Sequence, residues 1–152
     1  MRSGILLRLA LAALLLSGCS EKLLVPGFPF AGEWSGRIAD PTIILSNNHS
    51  LKFSLLGEVS EEGSLRFDTE RVLSYGTGNV TIRVIMELEV MPDGAVAGTG
   101  SYTMGAPFSL VRHGEVLGQF NTEADYASGA LVLVATPSMP LTLMSWTLRR
   151  VQ

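Results

Sequence analysis

The chain has little of several things that define common protein classes. It has one cysteine and two histidines in 152 residues, so an intramolecular disulfide is impossible and the ligands of a structural zinc site are too few. Only 16% of the residues are charged, and the formal net charge is −3. With 47% hydrophobic residues, this is not the composition of a disordered or nucleic-acid-binding chain. The length indicates a single domain.

The first eighteen residues have the pattern of an export signal. Arg2 and Arg8 supply positive charge, residues 5–16 are apolar apart from Arg8, and Ser17 and Gly18 are small. The apolar run is shorter than the roughly 20 residues that a membrane-spanning helix needs. We therefore predict a secretory signal at residues 1–18. A buried helix is the alternative, but the segment has almost no polar face.

The one cysteine follows this segment directly. Leu-Ser-Gly-Cys at residues 16–19 resembles the lipobox of bacterial lipoproteins at all four positions. In that family a diacylglyceryl group is attached to the Cys thiol, and a peptidase then cuts just before the Cys. The resemblance implies cleavage between Gly18 and Cys19 and lipidation of Cys19. The alternative is an ordinary signal peptide followed by an unpaired Cys, which is a liability in an oxidising compartment.

The lipobox also implies a location in the cell envelope. In enteric-type lipoproteins an Asp after the lipidated Cys favours the inner membrane, whereas Ser20 stands there in this chain. For a Gram-negative source, this implies an outer-membrane anchor facing the periplasm. Removing residues 1–18 takes away two Arg and leaves a side-chain charge of −5. That balance attracts neither nucleic acid nor anionic headgroups, so the acyl chains on Cys19 would carry the attachment.

Residues 19–31 are predicted to be a tether between the lipidated Cys and a domain at residues 32–152. Two prolines and a glycine at residues 26–29 break regular structure. Phe28 and Phe30 are apolar for a solvated linker, so they are candidates to pack onto the domain.

The rest of the chain has the pattern of β-structure. At residues 80–90 six apolar side chains fall on one face, a period of two that is typical of a half-buried antiparallel strand. Asp93-Gly94 favours a tight hairpin after it. Eight to ten such strands follow one another with short links, and only residues 121–128 suit a single helical turn. We predict an all-β fold, a small antiparallel up-and-down barrel of about eight strands, whose closure leaves no exposed strand edge.

The predicted first and last strands carry a second resemblance. Gly-Glu-Trp at residues 32–34 is similar to the Gly-x-Trp opening of calycins, the superfamily of lipocalins, fatty-acid-binding proteins, avidins and some bacterial inhibitors. In those families the Trp packs across the barrel end near an Arg or Lys of the last strand. The resemblance implies a structural pair of Trp34 and Arg150, because Arg150 shares a face with Trp146; Arg149 is the alternative. Such a cation–π contact contributes about 0.5–2 kcal/mol.

No pattern in the sequence identifies an enzyme. A Gly-x-Ser-x-Gly elbow is absent, and the Gly-Thr-Gly triplets at residues 76–78 and 98–100 lack the third Gly of a phosphate loop. His113 and Glu115 have the spacing of a His-x-Glu zinc fragment without its Cys pair, and His49 has no metal partner nearby. We therefore predict no catalytic residue, no metal and no cofactor.

Three functions remain open. We favour a membrane-anchored periplasmic accessory protein that binds an apolar ligand or an envelope protein. The alternative is a calycin-like protease inhibitor, with residues 23–30 entering a protease cleft, and a hydrolase is the least favoured. A cavity in the barrel would favour the ligand, whereas large inward side chains favour a filled core. The predicted inward set includes Phe53, Phe67, Ile82, Val84, Met86, Leu88 and Trp146.

Overall fold

The protein is an eight-stranded antiparallel β-barrel. A computed structural model describes residues 27–152, so the predicted signal segment, the Gly18–Cys19 cleavage site and the lipidation of Cys19 lie outside the described residues. The strands are β1 (Gly32–Ile44), β2 (Ser50–Val59), β3 (Ser64–Tyr75), β4 (Gly78–Val90), β5 (Ala95–Met104), β6 (Leu110–Phe120), β7 (Tyr126–Leu133) and β8 (Thr142–Arg150). This confirms the predicted all-β barrel. Residues 121–125 form an irregular loop, not a helical turn.

The barrel is nearly closed, and one seam in it has no hydrogen-bond ladder. The strand order is β2-β1-β8-β7-β6-β5-β4-β3, so β1 pairs with β8 while β2 and β3 are the two edges. The expectation that closure leaves no strand edge is therefore wrong for this pair. The two strands approach each other near Gly57, where a Cβ would lie 2.9 Å from Leu65 Cδ1. Farther along, the Arg71 side chain reaches across to the Lys52 carbonyl at 2.9 Å.

The strands fold as the sequence pattern indicates, because alternate side chains fill one interior. On β4 the inward residues Val84 and Met86 are fully buried while their polar neighbours are exposed. Gly94 ends the next turn with a φ of 88°, which a residue without a Cβ adopts at little cost. The seven inward side chains named from the sequence are all at most 4% exposed. Burying one such side chain contributes about 1.5–3 kcal/mol.

The up-and-down topology gives the barrel two different ends. We call one the plugged end; it holds the start of β1, the end of β8 and the loops at residues 60–63, 91–94 and 121–125. We call the other the open end; it holds the loops at residues 45–49, 76–77, 105–109 and 134–141. The described part of the predicted tether joins the barrel at the plugged end.

Candidate functional site

Aromatic side chains fill the plugged end. Trp34 is fully buried and its ring lies edge-on to Phe120, with centroids 4.6 Å apart. Phe30 also packs edge-on to Phe120, at 5.3 Å, and is 2% exposed. The Trp34 indole nitrogen donates a hydrogen bond to the Phe30 carbonyl at 2.8 Å. Three aromatic rings thus fill this end of the barrel.

Arg150 lies against this aromatic plug. Its Cζ is 4.9 Å from the Trp34 ring centroid, and the two residues are directly opposite in the β1–β8 ladder. Its guanidinium donates hydrogen bonds to the carbonyls of Ala31 at 2.6 Å and Pro29 at 2.8 Å, and to Asp125 at 2.8 Å. Arg149, the alternative partner for Trp34, instead lies over the Tyr126 ring at 5.5 Å. Arg150 thus has a structural position in the plug.

The described part of the predicted tether, residues 27–31, is held on the barrel. Phe30 is buried in the plug, and the Phe28 amide donates a hydrogen bond to Glu61 at 3.0 Å. The Phe28 ring packs edge-on to Phe30 at 5.8 Å. These residues therefore extend the plug instead of protruding from it.

The open end holds the candidate site, an apolar pocket of about 1010 Å³. Its floor includes Val80 and Ile82, which belong to the core, and its walls include Leu73, Met104 and Leu110, which are only partly buried. Asp, Glu, Lys and Arg are absent from its lining. The remaining lining residues are Thr42, Ile43, Ile44, Leu45, Ser46, Asn47, Ser74, Tyr75, Phe108 and Met139.

A buried polar contact spans the barrel interior next to this pocket. Asp40 on β1 is 1% exposed and accepts a hydrogen bond from the Tyr102 hydroxyl of β5 at 2.7 Å. Its other oxygen accepts from the Thr42 amide at 2.8 Å and hydroxyl at 2.6 Å. Burial, and then the Asp40 carboxylate, raise the pKa of Tyr102, so the hydroxyl stays a donor. Both Asp40 oxygens are thereby satisfied, and the carboxylate is not free for a ligand.

A second buried polar residue, Arg112, holds one loop of the pocket in place. It is 3% exposed and donates hydrogen bonds to the Thr142 hydroxyl at 2.9 Å and to the carbonyls of Pro140 at 2.7 Å and Val134 at 3.1 Å. Its Nε has no hydrogen-bond partner within the described residues. Because Met139 of the same loop lines the pocket, Arg112 positions part of the pocket wall.

Sequence reasoning missed these interior polar residues. Asp40 lies an even number of residues from Trp34 and Ile38, so it shares their inward face on β1. In the same way Arg112 shares the inward face of Val116 on β6. A charged residue at a position predicted to point into the barrel was the available signal. Its partners could not be read from the sequence, because Asp40 and Tyr102 are 62 residues apart.

The histidines and paired carboxylates do not form a site. His49 lies in an exposed loop, and His113 lies exposed on the outer face of β6. Glu87 is also exposed and pairs with Arg66, beside a shallow surface concavity of about 780 Å³. In the part of the chain that the structure describes, no group of three or more His, Cys, Asp or Glu is placed to bind a metal ion.

Comparisons of the chain with protein-family models, with characterised proteins and with solved structures found no significant match. Residues 27–152 contain no helix long and apolar enough to cross a membrane. The resemblances of residues 16–19 to the lipobox and of residues 32–34 to calycins therefore stay predictions.

Proposed function

We propose that the protein is an envelope lipoprotein, anchored to a membrane through acyl chains on Cys19, whose barrel binds an uncharged apolar ligand at the open end. The observation that carries this proposal is the pocket of about 1010 Å³ with a mostly apolar, uncharged lining. Small-molecule sites are concave and mostly apolar, with volumes of about 300–1,000 Å³. The pocket is at the upper end of that range, which suits a ligand with a long hydrocarbon part.

The lack of charge in the lining specifies the ligand class. A carboxylate or ammonium buried in this pocket would lose its hydration and meet no ionic partner, which is costly. The Asp40 carboxylate is already saturated by Tyr102 and Thr42, and the Arg112 guanidinium is directed at loop carbonyls. A neutral ligand such as a monoacylglycerol fits this environment better than the corresponding fatty acid anion.

The position of the pocket agrees with anchoring at the other end. The chain enters the barrel at the plugged end, where Arg150 holds the carbonyls of Pro29 and Ala31. An anchor on Cys19 therefore leads into the end that lies opposite the pocket. The protease-inhibitor alternative needs a free segment at residues 23–30, and residues 27–30 do not supply it because they pack on the barrel.

Displacement of a bound fluorescent dye tests the ligand class. We expect a neutral naphthylamine dye to bind and a monoacylglycerol to displace it at about tenfold lower concentration than the fatty acid of the same chain, a difference of about 1.4 kcal/mol. Equal displacement by the two lipids would contradict the proposal, as would a dye that does not bind.

A matched pair of variants tests whether the dye binds in the pocket. Leu45 lines the pocket, whereas Leu56 is 64% exposed on the outer face of β2. Leu45→Glu should weaken dye binding by about tenfold or more, and Leu56→Glu should change it by no more than about twofold, as expected for a surface substitution. Equal effects of the two changes would place the dye elsewhere. Urea unfolding of both variants checks that they are folded.

A further inference from the structure

The two ends of the barrel differ sharply in charge. The loops of the open end and the strand residues next to them, residues 41–51, 72–82, 101–111 and 134–144, contain no Asp, Glu, Lys or Arg. His49 is the one imidazole among them. The exposed side chains of Lys52, Arg71 and Arg83 follow just beyond these segments, and Asp40 and Arg112 are buried inside the barrel. The plugged end is acidic by contrast. Its loops and the strand residues beside them carry eight acidic residues against Arg149 and Arg150; the acidic residues are Glu33, Glu58, Glu61, Glu62, Glu89, Asp93, Glu123 and Asp125.

The open end also holds most of the exposed apolar side chains. Of twelve large hydrophobic residues that are exposed within residues 27–152, eight surround this end. We call these eight the collar: Ile44, Val72, Tyr75, Phe108, Val111, Val134, Leu141 and Leu143. Single exposed apolar residues are ordinary on a protein surface, whereas a clustered group marks an interaction site.

The collar continues into the pocket. Ile44, Tyr75 and Phe108 belong to both, and the rings of Tyr75 and Phe108 pack edge-on with centroids 5.0 Å apart. Tyr and Phe are suited to the boundary between water and hydrocarbon, and Tyr keeps its hydroxyl in the polar layer. A protein interface has a polar rim around its apolar centre. The open-end loops hold polar residues without charge, such as Asn47 and Asn48, and this lack of charge favours a neutral lipid surface over a protein partner with a charged rim.

We propose that the collar docks on the surface of a lipid bilayer and inserts to the depth of the headgroup–acyl boundary. The acidic plugged end is repelled by anionic headgroups, so the open end is the one that inserts. Because the segment that leads to Cys19 joins the plugged end, the docked bilayer lies at the opposite end of the barrel from the proposed anchor. This contact is made by side chains of the barrel. It does not depend on acyl chains at Cys19 or on a ligand in the pocket.

Fluorescent labels at the two ends test the proposed docking. In a full-length Cys19→Ser chain, an environment-sensitive dye is attached at Ser46→Cys in an open-end loop or at Glu62→Cys in a plugged-end loop, with phosphatidylcholine vesicles that contain spin-labelled lipid. We expect quenching at least about threefold stronger at position 46, since only that end reaches the acyl boundary. The N-terminal segment joins the barrel at the plugged end, so its own affinity for lipid would raise quenching at position 62 and cannot produce the stronger quenching expected at position 46.

Matched substitutions on β6 identify the surface. Val111 and Leu117 lie on the same outer face and are 56% and 52% exposed, but only Val111 is in the collar. Val111→Asp should reduce the quenching at position 46 by about threefold or more, whereas Leu117→Asp should leave it nearly unchanged. Raising the salt concentration should also leave it unchanged, because salt does not screen an apolar contact with a phosphatidylcholine surface that has no net charge.

Several results would overturn the docking proposal. These are equal quenching at positions 46 and 62, no quenching at either position, the same effect from both Asp variants, or loss of quenching in high salt. A change in the label at position 46 that grows with protein concentration in the absence of vesicles would show self-association and would equally overturn it. Dye binding in the pocket is measured without vesicles, so failure of one proposal is distinguishable from failure of the other.

Discussion

The plugged and open ends of the barrel are built from the same eight strands but are finished in different ways. At the plugged end Trp34, Phe30 and Phe120 pack together, and Arg150 ties them to the entering chain. At the open end the inward side chains Leu73, Met104 and Leu110 are only partly buried, and a pocket remains above Ile82. The difference teaches that stability is concentrated where the aromatic rings are, and that the opposite end keeps apolar surface available.

Removal of the Trp34 ring should give the largest loss of stability. It tests whether the plugged end contributes more to stability than the open end. Trp34→Ala leaves a large cavity beside Phe120 and should lower the free energy of unfolding by about 3–5 kcal/mol. Met139→Ala, in the half-buried wall of the pocket, should cost less than about 1 kcal/mol. Urea unfolding of both variants measures the difference. Similar losses would show that the two ends contribute equally to stability.

Arg112→Met should give the next largest effect, at the open end. It leaves the carbonyls of Val134 and Pro140 without their donor, which should cost about 1–3 kcal/mol. We expect faster hydrogen exchange of backbone amides at residues 134–141 and weaker dye binding in the pocket. An unchanged exchange rate in this loop would show that Arg112 does not position the pocket wall.

Arg150→Met should have a smaller effect at the plugged end. It removes the contact with Trp34 and two hydrogen bonds to the chain at Pro29 and Ala31, a loss of about 1–2 kcal/mol in unfolding free energy. Arg149→Met is the control, because Arg149 is exposed and its guanidinium lies over the Tyr126 ring and not over Trp34. If the control were as destabilising as the test variant, the assignment of Arg150 to the plug would be wrong.

The smallest effect should appear only at alkaline pH. Because the pKa of Tyr102 is raised in the folded state, the unfolded chain loses this proton first as the pH rises. The contribution of Tyr102 is therefore fully present below its ordinary value of about 10 and falls above it, by up to about 1.4 kcal/mol per pH unit. Urea midpoints between about pH 9 and 11 should fall more steeply for the wild type than for Tyr102→Phe. Parallel slopes would contradict the buried Asp40–Tyr102 contact.

The barrel itself could be predicted from the sequence, because its strands repeat with a period of two and its turns carry Gly, Pro and Asp. The alternation of side chains along β8 also predicted that Arg150, and not Arg149, faces Trp34. The open-end pocket could not be predicted in the same way. Whether Leu73, Met104 and Leu110 meet across the barrel or leave a space depends on how four loops fold over them. The sequence pattern also gave no sign that β2 and β3, alone among neighbouring strands, would lack a ladder.

The hydrogen bonds from Arg150 to the carbonyls of residues 29 and 31 have a mechanical consequence. The final residues return to the first strand, where the Val151 amide donates to the Glu33 carbonyl at 2.9 Å. A force pulling on the chain at residue 27 is therefore shared between the first and last strands at their junction. Because β1 has a hydrogen-bonded neighbour on each side, a load directed along β1 is carried by two ladders in shear. A barrel that is pulled from this corner resists extraction with the end where the aromatic rings of Trp34, Phe30 and Phe120 are packed.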